Sequence, residues 1–259
     1  MTRIHRPERL ARMPDAVLFD TDNTLYPYDP SHHRAMEAVR SKVVRSMSIS
    51  EATFDSAFAA ARTEIKQRLK GTAASHNRLL YFQRMLELIG LGSQVLVALD
   101  LEQTYWRTFL SVAELFEGLK EFLDDLRLAG VPTAIVTDLT AQIQFRKIVY
   151  FGLDQYFDHI VTSEEAGFDK PNPGPFELAI QKMKVSSDAI VWMIGDNQAA
   201  DIAGARRAIS AVTLQKLHAG VTEGTGEEQP DMSFEHFDQL RLLIKRLQPV
   251  QDQGMKTHA

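Results

Sequence analysis

Four short apolar runs constrain the fold of this chain: Ala16-Val17-Leu18-Phe19, Thr133-Ala134-Ile135-Val136, His159-Ile160-Val161-Thr162 and Ile190-Val191-Trp192-Met193-Ile194. None alternates polar with apolar residues. Each therefore reads as a strand covered on both faces, the condition of a parallel sheet. A weaker fifth run is Ala211-Val212-Thr213-Leu214. Helical periodicity fills the intervals, over Leu119 to Leu128, Ala141 to Tyr150, Gly174 to Met183 and Ala199 to Ala208. Strand and helix in alternation predict an α/β protein built on a doubly wound parallel sheet, with right-handed crossovers and helices on both faces.

One stretch breaks that rhythm. Between Pro30 and Ala113 no strand is expected, but three amphipathic stripes follow one another. Met36, Val39, Val43, Val44 and Met47 make the first, Phe54, Phe58, Ala61, Ile65 and Leu69 the second, and Leu79, Phe82, Met85, Leu86 and Ile89 the third. Gly90 and Gly92 then read as a helix stop before a fourth helix from Val95 through Phe109. A crossover needs only ~10–12 residues, so this insert is too long to be a simple connection. It is expected to be an all-α cap over residues 30–113, inserted into a core made of 14–29 plus 114–247. Residues 1–13 and 248–259 are expected to be loose tails.

Bulk properties remove several function classes. The chain has 259 residues, a formal net charge of −5 and no cysteine. Disulfide staples and thiolate zinc sites are therefore excluded, and no global charge draws the protein to nucleic acid or an anionic membrane. No apolar run approaches the ~18–20 residues of a membrane span. A soluble, cytoplasmic protein is expected. An anionic ligand would need a local positive site.

The chemistry-bearing residues gather where strands end. The first strand runs into Asp20, with Asp22 and Thr24 beyond it in VLFDTDNTLYP. In open parallel sheets ligands bind off the carboxyl ends of strands. Two acids this close repel each other unless a cation bridges them, and Mg²⁺ takes oxygen ligands and commonly uses carboxylates with a substrate phosphate. The second strand ends at Thr137-Asp138, where a hydroxyl and free backbone N–H groups can cradle a phosphate. Lys170 lies in GFDKPNPGPF, its loop stiffened by Pro171 and Pro173. A further strand ends at Gly195, followed by Asp196 and, at the start of the next helix, Asp201. Any one of these has an ordinary reading as a turn, a cap or a solvated side chain. Together they supply a nucleophilic acid, a second acid, a hydroxyl, a lysine and further metal carboxylates in one order.

In that order the sequence resembles the haloacid dehalogenase-like (HAD) hydrolase superfamily, through DTDNT from Asp20, Thr137, Lys170 and GDNQAAD from Gly195. The form FDTDNTLYP is similar to the branch that includes pyrimidine 5′-nucleotidase-like phosphatases. The resemblance implies a Rossmann-like core with a helical cap and a Mg²⁺-dependent phosphatase acting through an aspartyl-phosphate. It implies Asp20 as nucleophile and metal ligand, and Asp22 as general acid and then base with its backbone carbonyl on the metal. Thr137, Asp138 and Lys170 would hold the phosphoryl group. Asp196 would bind Mg²⁺, and Asp201 would bind it through water or orient Lys170. Asp138 and Leu139 stand where many members have Asn and Gly; a carboxylate of Asp138 turned into the site would repel the substrate.

The presence of Asp22 argues against dehalogenase and phosphonatase chemistry, whereas a phosphomutase would keep every motif. The substrate is expected to be a small phosphate monoester, nucleoside monophosphates leading on resemblance and sugar phosphates close behind. Specificity should come from the insert, with His32, His33, Arg62, His76, Asn77 and Arg78 as candidates. Of these, the cluster His76-Asn77-Arg78 is expected to reach the site, unless Ser75 merely caps the helix that follows. Tyr26 and Tyr28 could stack on a base or pack against the cap. The sequence does not fix an oligomeric state.

Overall fold

The computed structural model describes residues 2–248. Its elements are, in chain order, strand β1 (Arg3–Ile4), β2 (Ala16–Phe19), helices α1 (Tyr28–Met47), α2 (Glu51–Arg68), α3 (Arg78–Leu88), α4 (Val95–Val112) and α5 (Leu119–Leu128), then β3 (Thr133–Thr137), α6 (Ala141–Tyr150), β4 (His159–Thr162), α7 (Ser163–Ala166), α8 (Pro173–Met183), β5 (Val191–Gly195), α9 (Gly204–Ile209), β6 (Val212–Lys216), β7 (Met232–Phe234) and α10 (Phe237–Leu247). The seven strands form one sheet in the order β1-β7-β6-β5-β2-β3-β4. Every neighbouring pair is parallel except β1 with β7.

The five apolar runs all become strands, and burial explains why they carry no alternation. In β2, Val17 and Phe19 face one core while Ala16 and Leu18 face another. The same division separates Ile135 from Ala134 and Val136, and Trp192 and Ile194 from Val191 and Met193. Successive side chains point to opposite faces, and here both faces are covered by helices. The order also fixes the active edge. From β2 the chain winds outward through β3 and β4, then returns to β5 on the other side of β2 and winds outward again. The reversal lies at the carboxyl ends of β2 and β5, the crevice where doubly wound sheets bind ligands.

Residues 28–112 contain four α-helices and no strand. Their apolar stripes meet one another, and Tyr105, Trp106 and Phe109 of α4 join the core cluster that also holds Val17 and Phe19. The insert leaves and re-enters the sheet domain through adjacent segments, tied by the Phe116 N–H donating to the Leu25 carbonyl at 2.9 Å. α1 begins at Tyr28, two residues before the expected start of the insert, and Pro30 falls in its first turn.

Residues 2–13 are more ordered than a loose tail. Arg3 and Ile4 pair with Ser233 and Met232, Leu10 is buried, and Arg6 bonds the buried Asp231 at 2.8 Å. Strands β1 and β7 are the two that the apolar pattern does not announce, because two or three residues are too few to show a period. Residues 249–259, most of the tail expected to be loose, lie outside the described residues.

Candidate active site

The carboxyl ends of β2, β3 and β5 and the loop before α8 converge on one cavity of about 280 Å³. Asp20, Asp22, Thr137, Asp138, Lys170, Asp196 and Asp201 all line it. The centre is Lys170. Its buried ammonium donates to Asp20 Oδ1 and Asp201 Oδ1, each at 2.7 Å, and to the Val136 carbonyl at 2.9 Å. Thr24 Oγ1 donates to the other oxygen of Asp20 at 3.1 Å. A turn of backbone after β2 thus places a hydroxyl where it fixes the orientation of the first acid.

Three carboxylates crowd together. One oxygen from each of Asp20, Asp196 and Asp201 lies within 4.8 Å of the others. Burial is the main force raising the Asp20 carboxyl to about 7; Lys170 opposes it and Asp201 adds to it. Burial and the charges of Asp20 and Asp201 likewise raise Asp196 to about 8. One ammonium does not balance three acids in a low-dielectric pocket. The residues present, all oxygen donors of a hard-cation type, fit a divalent ion such as Mg²⁺. Asp22 does not contribute its carboxylate to this cluster.

Gly195 makes the crowding sterically feasible. A Cβ built there would sit 2.5 Å from the Cβ, Cγ and Oδ2 atoms of Asp201. Only a residue without a side chain lets Asp201 lie against the end of β5. Asp201 belongs to a π-helical turn, Gln198–Ala203, that precedes α9; such turns recur at functional sites. The Asn197 N–H donates to Asp201 Oδ2 at 3.0 Å, so the side chain is held from two sides.

Asp22 has its own partners. Lys147 of α6 donates to its Oδ1 at 2.7 Å, and the Tyr26 hydroxyl donates to the same atom. Burial alone would raise the Asp22 carboxyl, but the Lys147 ammonium and these hydrogen bonds hold it below its ordinary value. Lys147 is 1% exposed and its ammonium lies 5.5 Å over the Trp106 ring of α4. Neither Lys147 nor Gln144 was singled out in the sequence, and both were detectable. α6 buries Ile143, Gln144, Lys147 and Ile148, so two polar residues stand on its apolar face. Gln144 donates to Thr137 Oγ1 at 2.8 Å and to the Asp138 carbonyl at 2.7 Å, while Thr137 shares a 2.7 Å hydrogen bond with Thr21.

The Asp138 carboxylate does not project freely into the cavity. Its Oδ1 accepts the Lys170 backbone N–H at 2.9 Å and so ties β3 to the lysine loop. Burial raises it to about 6, with Lys170 opposing. Leu139 adopts φ +92°, a left-handed conformation that favours glycine, and its N–H is held by Ser163 Oγ at 3.0 Å.

From the insert, Arg62, Lys66, His76, Arg78, Tyr28 and Trp106 line the cavity. Arg78 is fixed: it donates to the Tyr28 hydroxyl and to the His76 carbonyl, and lies 5.4 Å over the Tyr81 and Tyr105 rings. His76 Nε2 sits 3.3 Å from Asp169 Oδ2. Asn77 is not brought to the cavity. Its Oδ1 accepts the Leu79 and Leu80 N–H groups as the N-cap of α3, a role worth about 1 kcal/mol. Asn77, rather than Ser75, therefore caps that helix. His32 is turned away too, 2.7 Å from the Tyr105 hydroxyl inside the insert. Tyr26 and Tyr28 pack edge-on or tilted against Phe109.

The family profile of haloacid dehalogenase-like hydrolases matches residues 14–208, all four motif groups and the insert among them. The chain belongs to the haloacid dehalogenase-like hydrolases. Among curated members of known activity it is 40% identical over 243 residues to a ribulose-1,5-bisphosphate 5-phosphatase of Halopiger xanaduensis, covering 90% of this chain and 100% of that protein. It is 30% identical to a glyceraldehyde 3-phosphate phosphatase of Methanopyrus kandleri, covering 90% and 97%. In fold this HAD hydrolase is similar to a 2-haloacid dehalogenase from Pseudomonas syringae pv. Tomato, with a TM-score of 0.73 at 22% identity over 91% of this chain and all of that one. Among the described residues no helix is long and apolar enough to cross a membrane.

Proposed function

We propose that this HAD hydrolase is a Mg²⁺-dependent phosphatase of small phosphorylated sugars that works through a covalent intermediate on Asp20. The observation that carries the reading is the clamp of Lys170 between Asp20 and Asp201, with Asp22 two residues beyond on a separate support.

In the first half-reaction an oxygen of Asp20 bonds to phosphorus and the phosphorus–oxygen bond of the ester breaks. The leaving alkoxide takes the proton of Asp22. In the second, Asp22 takes a proton from water, the resulting hydroxide bonds to phosphorus, and the bond to Asp20 breaks to release inorganic phosphate. Lys170 is placed to neutralise a phosphoryl oxygen, and the N–H groups after Thr137 to hold another. Asp20, Asp196 and Asp201 would hold a divalent ion, which would supply the charge neutralisation that lets one anion attack another. Asp22 starts ionised, because Lys147 holds its carboxyl low. An arriving phosphate dianion raises a nearby carboxyl, so Asp22 takes up a proton from solvent as the substrate binds, and this is the proton that the leaving alkoxide receives.

The charge of the cavity favours sugar phosphates over the nucleoside monophosphates first expected. Its insert side presents three cations, Arg62, Lys66 and Arg78, beside Tyr28 and Trp106. The two relatives named above, each aligned over nearly its whole length, are named for phosphorylated sugars of five and three carbons. The helical insert would act as the lid, excluding water before chemistry.

The test is phosphate release from a panel of sugar phosphates and nucleoside monophosphates, with Mg²⁺ and with chelator, beside Asp20→Asn. Metal-dependent turnover of sugar phosphates, absent in the variant, is expected. Equal turnover by Asp20→Asn would overturn the covalent reading, and faster turnover of nucleotides the substrate reading.

A further inference from the structure

The chemistry proposed above needs one anion site, around Lys170. The wall opposite carries a second set of cations that form no ion pair among the described residues. Arg62 and Lys66 stand at i and i+4 on one face of α2, and Lys70 follows in the turn just past its end. Arg62 and Lys66 line the catalytic cavity. All three also line a wider cleft of about 1050 Å³ that shares Arg62, Lys66, His76, Asp138 and Lys170 with it.

Among the described residues no carboxylate lies within ion-pair distance of these three. Several other cations of the insert are paired: Arg84 with Glu64 at 2.7 Å, Lys42 with Asp100 at 2.5 Å, and Arg40 with Glu51 at 3.3 Å. Asp169 bears on Lys66 electrostatically without forming an ion pair with it, and its Oδ2 faces His76 at 3.3 Å. Arg78 is equally lacking in a carboxylate, but its guanidinium is committed to Tyr28, His76 and the rings beneath it. Arg62 and Lys66 have no such commitments. Like charges at i and i+4 repel along a helix, and burial together with Arg62 and Arg78 holds the Lys66 ammonium below its ordinary value. An arrangement that weakens the free protein on one wall of a reaction cavity is the arrangement that a bound anion relieves.

We infer that Arg62 and Lys66 form a second anion site, which takes the phosphate that is not cleaved of a doubly phosphorylated small sugar. The substrate lies across the cavity. One phosphoryl group sits on Asp20 and Lys170, the carbon chain sits between, and the other phosphate meets the α2 face, with Lys70 further along the cleft as an entry charge. The inference rests on the phosphatase reading, and the experiment separates the two.

The experiment compares kcat and KM for a ketopentose 1,5-bisphosphate and for the 5-monophosphate, in wild type, Arg62→Gln, Lys66→Gln and the double variant, with p-nitrophenyl phosphate as a substrate that lacks any second charge. Lys66→Arg, which keeps the charge, is the rescue control, and thermal melts report folding. Wild type is expected to prefer the bisphosphate at least tenfold in kcat/KM. Each Gln variant should lose most of that preference through KM, the double variant all of it, and Lys66→Arg should keep it. An undiminished preference in the double variant, or no preference in wild type, overturns the second site. Hydrolysis of p-nitrophenyl phosphate without hydrolysis of either sugar overturns it as well and leaves the phosphatase standing. Release of phosphate from none of the three overturns the underlying reading.

Discussion

Lys147 Nζ lies 2.7 Å from Asp22 Oδ1, joining α6 to the loop after β2 across 125 residues of sequence. The ammonium is buried, and about a third of the Asp22 side chain reaches solvent. Asp22 therefore stays ionised at neutral pH although burial opposes it. Breaking a fully buried pair costs about 3–5 kcal/mol. For Lys147→Met the expected loss is nearer about 2 kcal/mol, since water reaches the orphaned carboxylate. The sign of the pH dependence follows from the lowered carboxyl. Its stabilisation is present above the unfolded value and is lost as pH falls through the folded one, so the gap between wild type and variant should close in acid. Phosphate release should fall at least about tenfold, because a displaced Asp22 forfeits part of the ~10²–10⁴ that a placed acid–base group supplies. Melts from pH 3 to 8 and steady-state rates check both.

The acid cluster behaves in the opposite sense. Asp20 and Asp196 are raised to about 7 and about 8. A carboxyl raised by folding favours the folded state below its unfolded value, near 4, and that contribution is lost as pH rises through the folded value. In chelator the melting temperature should decline from pH 5 to pH 8.5. Added Mg²⁺ should flatten the decline. Asp20→Asn should flatten it in chelator alone, by removing one of three mutually repelling charges. An unchanged slope in Asp20→Asn would contradict the electrostatic account.

Gly195→Ala tests the steric basis of the site. With its Cβ 2.5 Å from the Asp201 carboxyl carbon, the new methyl must displace Asp201, and with it the 2.7 Å bond that positions Lys170. Overpacking of this kind costs about 1–3 kcal/mol. Activity should fall at least a hundredfold while Lys170 and every acid remain in the chain. A variant with near-normal turnover would show that Asp201 is free to move.

Asp138→Asn separates charge from hydrogen bonding in the lysine loop. An amide oxygen can still accept the Lys170 N–H, at present 2.9 Å from Oδ1. The variant should turn over substrate within about threefold of wild type, as expected when a neutral acceptor replaces a charged one of the same shape. Its stability relative to wild type should increase as pH rises through about 6, where the buried wild-type carboxyl ionises. Asp138→Ala, which removes the acceptor, should lose activity at every pH.

Much of this molecule was legible beforehand. Strands buried on both faces announce themselves as unbroken apolar runs, and helices as stripes, because burial acts on every residue of an element at once. The strand-end groups were legible for a related reason: a doubly wound sheet brings the carboxyl ends of its strands to one edge, so order along the chain becomes proximity in space. Strands β1 and β7 escaped because a pair of edge residues leaves no period. Lys147 and Gln144 escaped because a polar residue on an apolar helix face declares that it has a partner without saying which.

The sequence by itself determined the two-faced parallel sheet, the all-helical insert, and the convergence of Asp20, Thr137, Lys170 and Asp196 on one crevice. These follow from local periodicity and chain order. Tertiary structure alone decided that Lys147 supports Asp22, that Asp138 grips the Lys170 loop, that Asn77 caps α3 and that Arg62 and Lys66 line the catalytic cavity without an ion-pair partner among the described residues. A pairing between side chains more than a hundred residues apart depends on the angle at which packed elements cross, and no pattern along one element records the face its neighbour presents.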